Sequence, residues 1–211
     1  MSADRLLAAV ERYYSGKVVE HGPTPQGADW RDEASQELRF RQLLKVWADD
    51  APLSLLDYGC GYGALVSYLE RMGADFSYCG FDISEPMLAQ ARAAHAGRAN
   101  VEFVGRDEEL SSVDYTVASG IFNVKFETAE DAWIEYVLAT LERIDGLSAR
   151  GFAFNLLTAY SDAEKMRPDL YYGDPGFFFD HCKRRFSRHV ALLHDYGLWE
   201  FTVVVRREPS A

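Results

Sequence analysis

Cysteine is scarce and odd in number. Cys60, Cys79 and Cys182 are the only three in 211 residues. That count argues against a disulfide framework and for a reduced, cytoplasmic setting. No apolar run approaches the ~20 residues that span a bilayer, and Met1-Ser2-Ala3-Asp4-Arg5-Leu6 does not have the form of a secretory leader. Basic charge is also short: 22 Lys and Arg stand against 33 Asp and Glu, a net charge of −11. Such a surface repels polyanions, so a nucleic-acid partner is not expected. The one compact basic cluster, Lys183-Arg184-Arg185 with Arg188, reads as the solvated end of a helix. Repeats and low-complexity segments are absent. What remains is an ordinary soluble composition, 48% hydrophobic and 26% charged, long enough for one domain with a sizeable core.

The chain changes rhythm near residue 50. Ala8, Val10 and Tyr14 predict a short first helix, Glu20 to Gly27 an irregular Gly/Pro loop, and Leu38 to Trp47 a second helix. From there strands and helices alternate. Strands are predicted at 53–58, 76–83, 100–104, 113–119 and 151–157. Helices are expected from Ala64, from Ser84 (an N-cap, with Pro86 in the first turn), and from Thr128 to Ile144. That alternation means a parallel sheet covered on both faces. A short helix opening at Asp174-Pro175 follows. Then strands at 189–194 and 199–206 are joined by so few residues that they must be antiparallel neighbours.

The most informative stretch is Leu55-Leu56-Asp57-Tyr58-Gly59-Cys60-Gly61-Tyr62-Gly63. An apolar strand ends in an acid, and three alternating glycines let the backbone turn tightly and approach a ligand. A carboxylate before the turn disfavours pyrophosphate and favours a ligand bearing positive charge. Asp82 follows nineteen residues after Gly63, at the end of the second strand, where an acid can accept from both hydroxyls of a ribose. Asp57 itself, at the end of a buried strand, needs a partner.

The D-x-G-x-G-x-G pattern resembles the first motif of class I S-adenosylmethionine (SAM) methyltransferases, and the resemblance covers about residues 50 to 207. It implies an α/β, Rossmann-like, doubly wound and mostly parallel seven-stranded sheet with a C-terminal antiparallel hairpin. Residues 1–50 become an N-terminal helical extension or lid on a SAM-binding domain spanning 51–211. It implies cofactor contacts from Asp57, Gly59, Gly61, Gly63, Asp82, Ile83 (under adenine), Asp107 (to the adenine amino group), Ser119 and Gly120. Arg39 is a candidate for the methionine carboxylate. Tyr14, Trp30, Phe122, Tyr171 and Tyr172 are candidates for the acceptor site, and His21 and Asn123 for catalysis. No metal is implied. The Asn-Pro-Pro-Tyr motif of nucleic-acid amino methylases is absent, since Val124-Lys125 follows Asn123. A small-molecule acceptor is expected.

Two other readings fit parts of the pattern. Gly59 to Ala64 also satisfies G-x-G-x-x-A, which suits a nicotinamide-dependent oxidoreductase. Asp57, the terminal hairpin and the lack of room for a separate substrate domain oppose it. A non-catalytic SAM-binding subunit would tolerate a degraded glycine turn or a missing ribose acid, and neither is seen.

Overall fold

A computed structural model describes residues 3–47 and 52–207. The domain boundary placed at residue 50 lies outside the described residues. Seven strands form one sheet: β1 (Leu53–Tyr58), β2 (Phe76–Phe81), β3 (Val101–Val104), β4 (Val113–Ala118), β5 (Ser148–Leu157), β6 (His189–Leu193) and β7 (Glu200–Arg206). Their order is β3-β2-β1-β4-β5-β7-β6. Neighbours from β3 through β5 are parallel. β7 runs antiparallel to both β5 and β6. The chain works outward through β1, β2 and β3, then returns to lay β4 on the other side of β1. That reversal opens a crevice beyond the carboxyl ends of β1 and β4.

Side-chain alternation sends successive residues to opposite faces, and each face is covered. On one, Leu55, Tyr78, Val117, Ala153 and Val204 pack with α2 (Glu33–Leu43), α3 (Ala64–Arg71) and α4 (Glu85–Ala94), through Phe40, Leu65, Leu69 and Leu88. On the other, Phe152, Phe154, Phe201 and Val203 meet α5 (Glu130–Leu147) and α6 (Pro175–Arg185), through Trp133, Val137, Leu141 and Phe178. Trp133 is fully buried and donates its indole N–H to the Phe122 carbonyl at 3.1 Å.

Helix starts follow local chemistry. Ser84 Oγ accepts from Met87 N at 3.3 Å to cap α4, with Pro86 in its first turn. Asp174 Oδ1 caps α6 by accepting from Gly176 N at 2.7 Å and Phe177 N at 3.3 Å. Asp32 Oδ1 caps α2 from Ser35 N at 2.7 Å.

Several boundaries differ from the sequence expectation. The first helix, α1 (Ala3–His21), is 19 residues long rather than short, and it takes in Glu20 and His21. It persists through Gly16 because Val18 is buried and Ser15 Oγ meets Ser84 Oγ of the sheet domain at 2.8 Å. Tertiary packing outweighs weak helical propensity there. β5 begins at Ser148, three residues early and directly after α5 ends at Leu147. α2 begins earlier than predicted, at Glu33, and its last turn tightens into a 3-10 turn at Leu44–Val46. No helix among the described residues is long and apolar enough to cross a membrane.

Candidate active site

The crevice at the strand ends is a cavity of about 600 Å³, within the range of small-molecule sites. Its floor is built by the turn after β1. Gly59, Gly61 and Gly63 all have positive φ, at 88°, 55° and 79°. At Gly59 the requirement is twofold: the backbone is left-handed, and a Cβ would lie 2.2 Å from Ile121 Cγ2. The turn is held by its own amides. Gly59 N and Cys60 N donate to the Phe81 carbonyl at 2.7 and 2.9 Å, and Gly63 N to the Cys60 carbonyl at 3.0 Å.

Two carboxylates flank this turn. Asp82 Oδ2 accepts from Gly61 N and Oδ1 from Ser84 N, each at 2.8 Å, so one side chain ties the glycine turn to the start of α4. Burial raises its carboxyl above the usual range, although the backbone N–H groups pull the other way. Asp57 is only 3% exposed, and its Oδ2 accepts from the Tyr78 hydroxyl at 2.8 Å. Burial pushes its carboxyl up to about 7; the Tyr78 bond opposes the rise and Asp82 adds to it.

The far end of the cavity holds Ile83, Asp107, Tyr136, Thr140 and Arg143. Asp107 is fixed by Tyr58, whose hydroxyl donates to Oδ1 at 2.9 Å, and by Arg143 Nε, which donates to Oδ2 at 2.7 Å. Ser119 and Gly120 follow β4, the strand beside β1, and line the wall. Ser119 Oγ is buried with no hydrogen-bond partner among the described residues. At Gly120 (φ 73°) a Cβ would fall 2.2 Å from Trp30 Cη2, so only glycine lets that indole seat itself.

The N-terminal segment supplies the roof. Leu7, Val10, Glu11 and Tyr14 of α1, Trp30, and Gln36 and Phe40 of α2 all face the cavity. Burial raises the Tyr14 phenol well above its ordinary range, so it stays a neutral donor.

Of the residues singled out from sequence, Asp57, Gly59, Gly61, Asp82, Ile83, Asp107, Ser119, Gly120, Tyr14 and Trp30 line this one cavity. Gly63 sits one step behind as the residue that opens α3. The others lie elsewhere. Arg39 is not on the wall; its Nε pairs with Glu200 Oε2 at 2.9 Å and its guanidinium lies 4.0 Å from the Trp30 ring. Phe122 is fully buried core against Phe154. Tyr171 is buried edge-on to Phe178. The Tyr172 hydroxyl accepts from Arg167 N at 3.0 Å in an exposed loop. His21 stands at the partly exposed end of α1 beside Glu20. Asn123 serves the backbone: its Oδ1 accepts from Leu157 N at 3.3 Å and its carbonyl from Tyr171 N at 2.8 Å. Tyr58 and Tyr62 are not among the site residues that the sequence pattern singles out. Both hydroxyls in fact brace cavity residues, Tyr58 on Asp107 and Tyr62 on Gln36 Oε1 at 2.9 Å.

A 3-2-1-4-5-7-6 sheet with an antiparallel β7 and a glycine turn at its switch point defines the class I methyltransferase fold. The methyltransferase-domain family model matches residues 55–144. Rv1506c of Mycobacterium tuberculosis, provisionally named a methyltransferase, is 51% identical over 156 residues, 74% of this chain and 94% of that protein. Solved structures share the fold. Magnesium protoporphyrin IX methyltransferase of Synechocystis with bound S-adenosylhomocysteine (SAH) superposes with a TM-score of 0.63 at 17% identity, covering 95% of this chain and 99% of that one. The DhpI-SAM-HEP complex gives 0.68 at 14% identity, covering 98% of this chain and 100% of the other. Human N-acetylserotonin methyltransferase gives 0.64 at 16%, covering 99% of this chain and 61% of its own. The chain belongs to the class I SAM-dependent methyltransferase family, and it is a methyltransferase.

Proposed function

We propose that SAM binds in the 600 Å³ cavity and that its methyl passes to a small-molecule acceptor beneath the N-terminal roof. The observation that carries the reading is the pair of carboxylates, Asp57 and Asp82, that share one cavity with the glycine turn and with a Ser119 hydroxyl that has no partner among the described residues. That donor and acceptor set suits a nucleoside carrying an amino acid with a cationic centre.

Each residue then has a task. Asp82 accepts from the ribose hydroxyls through the lone pairs that Gly61 N and Ser84 N leave free. Ile83 packs on the adenine, and Asp107, braced by Tyr58 and Arg143, accepts from its amino group. Asp57, Ser119 Oγ and the Gly120 carbonyl meet the methionine ammonium. When bound, SAM supplies an activated methyl on a good leaving group. The chain's own contribution is alignment and exclusion of water by α1, Trp30 and α2. We assign residues 1–50 as this cover. A small acceptor fits the roof, since a polymer would have to displace α1, and it fits the net charge of −11.

Calorimetry tests the reading directly. SAM and SAH should each give saturable heat and NADH none. Heat with NADH alone would transfer the site to the dinucleotide class. Labelled methyl from SAM should then appear on members of a small-molecule panel and not on RNA or DNA.

A further inference from the structure

Behind the cavity wall a closed circuit of contacts joins two loops, one helix and two strands. Trp30 stacks on the Arg39 guanidinium at 4.0 Å. Arg39 Nε donates to Glu200 Oε2 at 2.9 Å, and the two side chains are 10% and 1% exposed. Glu200 Oε1 accepts from Asn155 Nδ2 at 3.2 Å, and Asn155 Oδ1 accepts from Gly120 N at 2.7 Å. Gly120 returns to Trp30, whose ring occupies the space a Cβ would take. Only Trp30 and Gly120 face the cavity; Arg39, Glu200 and Asn155 do not. The three form a polar line through an apolar sheet end, a costly arrangement unless every member is satisfied. Arg39 is further held by the Ser35 carbonyl, to which its Nη1 donates at 2.9 Å.

We infer that Arg39, Glu200 and Asn155 are positioning residues for methyl transfer: they lock the Trp30 roof and the Gly120 wall into one arrangement, so that cover and wall move together. The inference rests on the cofactor reading above. Asn155 fixes the amide of Gly120 and therefore the direction of the Ser119 carbonyl in the same planar peptide unit. Glu200 and Arg39 carry that constraint to the stacked indole. Loss of any link leaves a cavity of the same composition whose two sides no longer register.

The test is the affinity of SAH for folded protein, by calorimetry well below the melting temperature, with melting followed alongside. A purely architectural role would lower the melting temperature and leave the dissociation constant of the folded fraction unchanged. Asn155→Ala removes no cavity atom, yet it should weaken SAH binding about tenfold, the equivalent of one good hydrogen bond in the site. Arg39→Lys keeps the charge but loses the flat face over Trp30, and it should act in the same direction. It also serves if Asn155→Ala does not fold. Trp30→Ala combined with Asn155→Ala should bind no more weakly than the weaker single variant, because one circuit is broken once. Unchanged affinity in whichever single variant folds, or losses that multiply in the double variant, would overturn the proposal. If the parent protein fails to bind SAH, the cofactor reading falls and this one with it.

Discussion

Asp57→Asn separates the demands of folding from those of binding. In the folded protein the Asp57 carboxyl is buried and raised from an ordinary 3.8 to about 7. The folded state therefore holds this proton more tightly than the unfolded chain does. Its contribution to stability is fully present below pH 3.8 and is lost as pH rises through about 7. At 1.36 kcal/mol per pH unit, that window corresponds to about 4 kcal/mol. Asparagine has nearly the same shape and carries no charge at any pH. The Tyr78 hydroxyl can still donate to its carbonyl oxygen. Urea unfolding of the apo-proteins near pH 5 and pH 8 should show the variant gaining on the parent by up to about 2.7 kcal/mol at the higher pH, the part of the window that lies above pH 5. Asp82 and Glu200 are raised by burial in the same direction. Glu200 is shared by parent and variant and cancels in the difference; Asp82, whose charge acts on Asp57, cancels in part. Binding should move the other way: the variant loses an anion of the proposed cationic-ligand site, and its SAM affinity should drop and lose the pH dependence that Asp57 titration supplies. A stability difference that does not change between the two pH values would refute the burial argument.

Asp82→Ala should weaken SAM binding at least tenfold, about 1.4 kcal/mol, because charge-assisted bonds to the ribose and the brace on Gly61 vanish together; titration calorimetry reads this. Gly59→Ala, at φ 88° and 2.2 Å from Ile121 Cγ2, should lower the melting temperature and SAH affinity together, and Ile121→Ala in the same background should recover part of both. Trp133→Ala, a fully buried indole with a bond to the Phe122 carbonyl, should cost about 3–5 kcal/mol in urea unfolding while leaving the SAH affinity of folded protein intact.

What the sequence made legible was local. β1 falls on its predicted residues because a Leu-rich run between Pro52 and Gly59 permits little else. Ser84 caps α4 as its spacing implies. Asp57, Asp82 and the glycines converge because parallel strands bring their carboxyl ends to one edge. The missed features rest on partners far along the chain. Arg39 and Glu200 are 161 residues apart, and neither announces the other. Glu200 opens a strand that continues Phe-Thr-Val-Val-Val, and a lone acid there could have raised the question of its partner. Phe122 and Tyr171 carry the composition of an acceptor site but point into the core, a choice made by α5 and α6 packing. α1 outran its predicted length because its stabilising contacts lie on α4, which local propensity does not register.

The turn after β1 ties up the amides of all three of its glycines. Gly59, Cys60, Gly61 and Gly63 all donate inward, to Phe81, Asp82 and Cys60. A dinucleotide's diphosphate needs such N–H groups aimed outward, and these four offer it none. Main-chain geometry at the three glycines therefore weighs against a dinucleotide. A side-chain substitution meant to convert one specificity into the other would have to free those amides first.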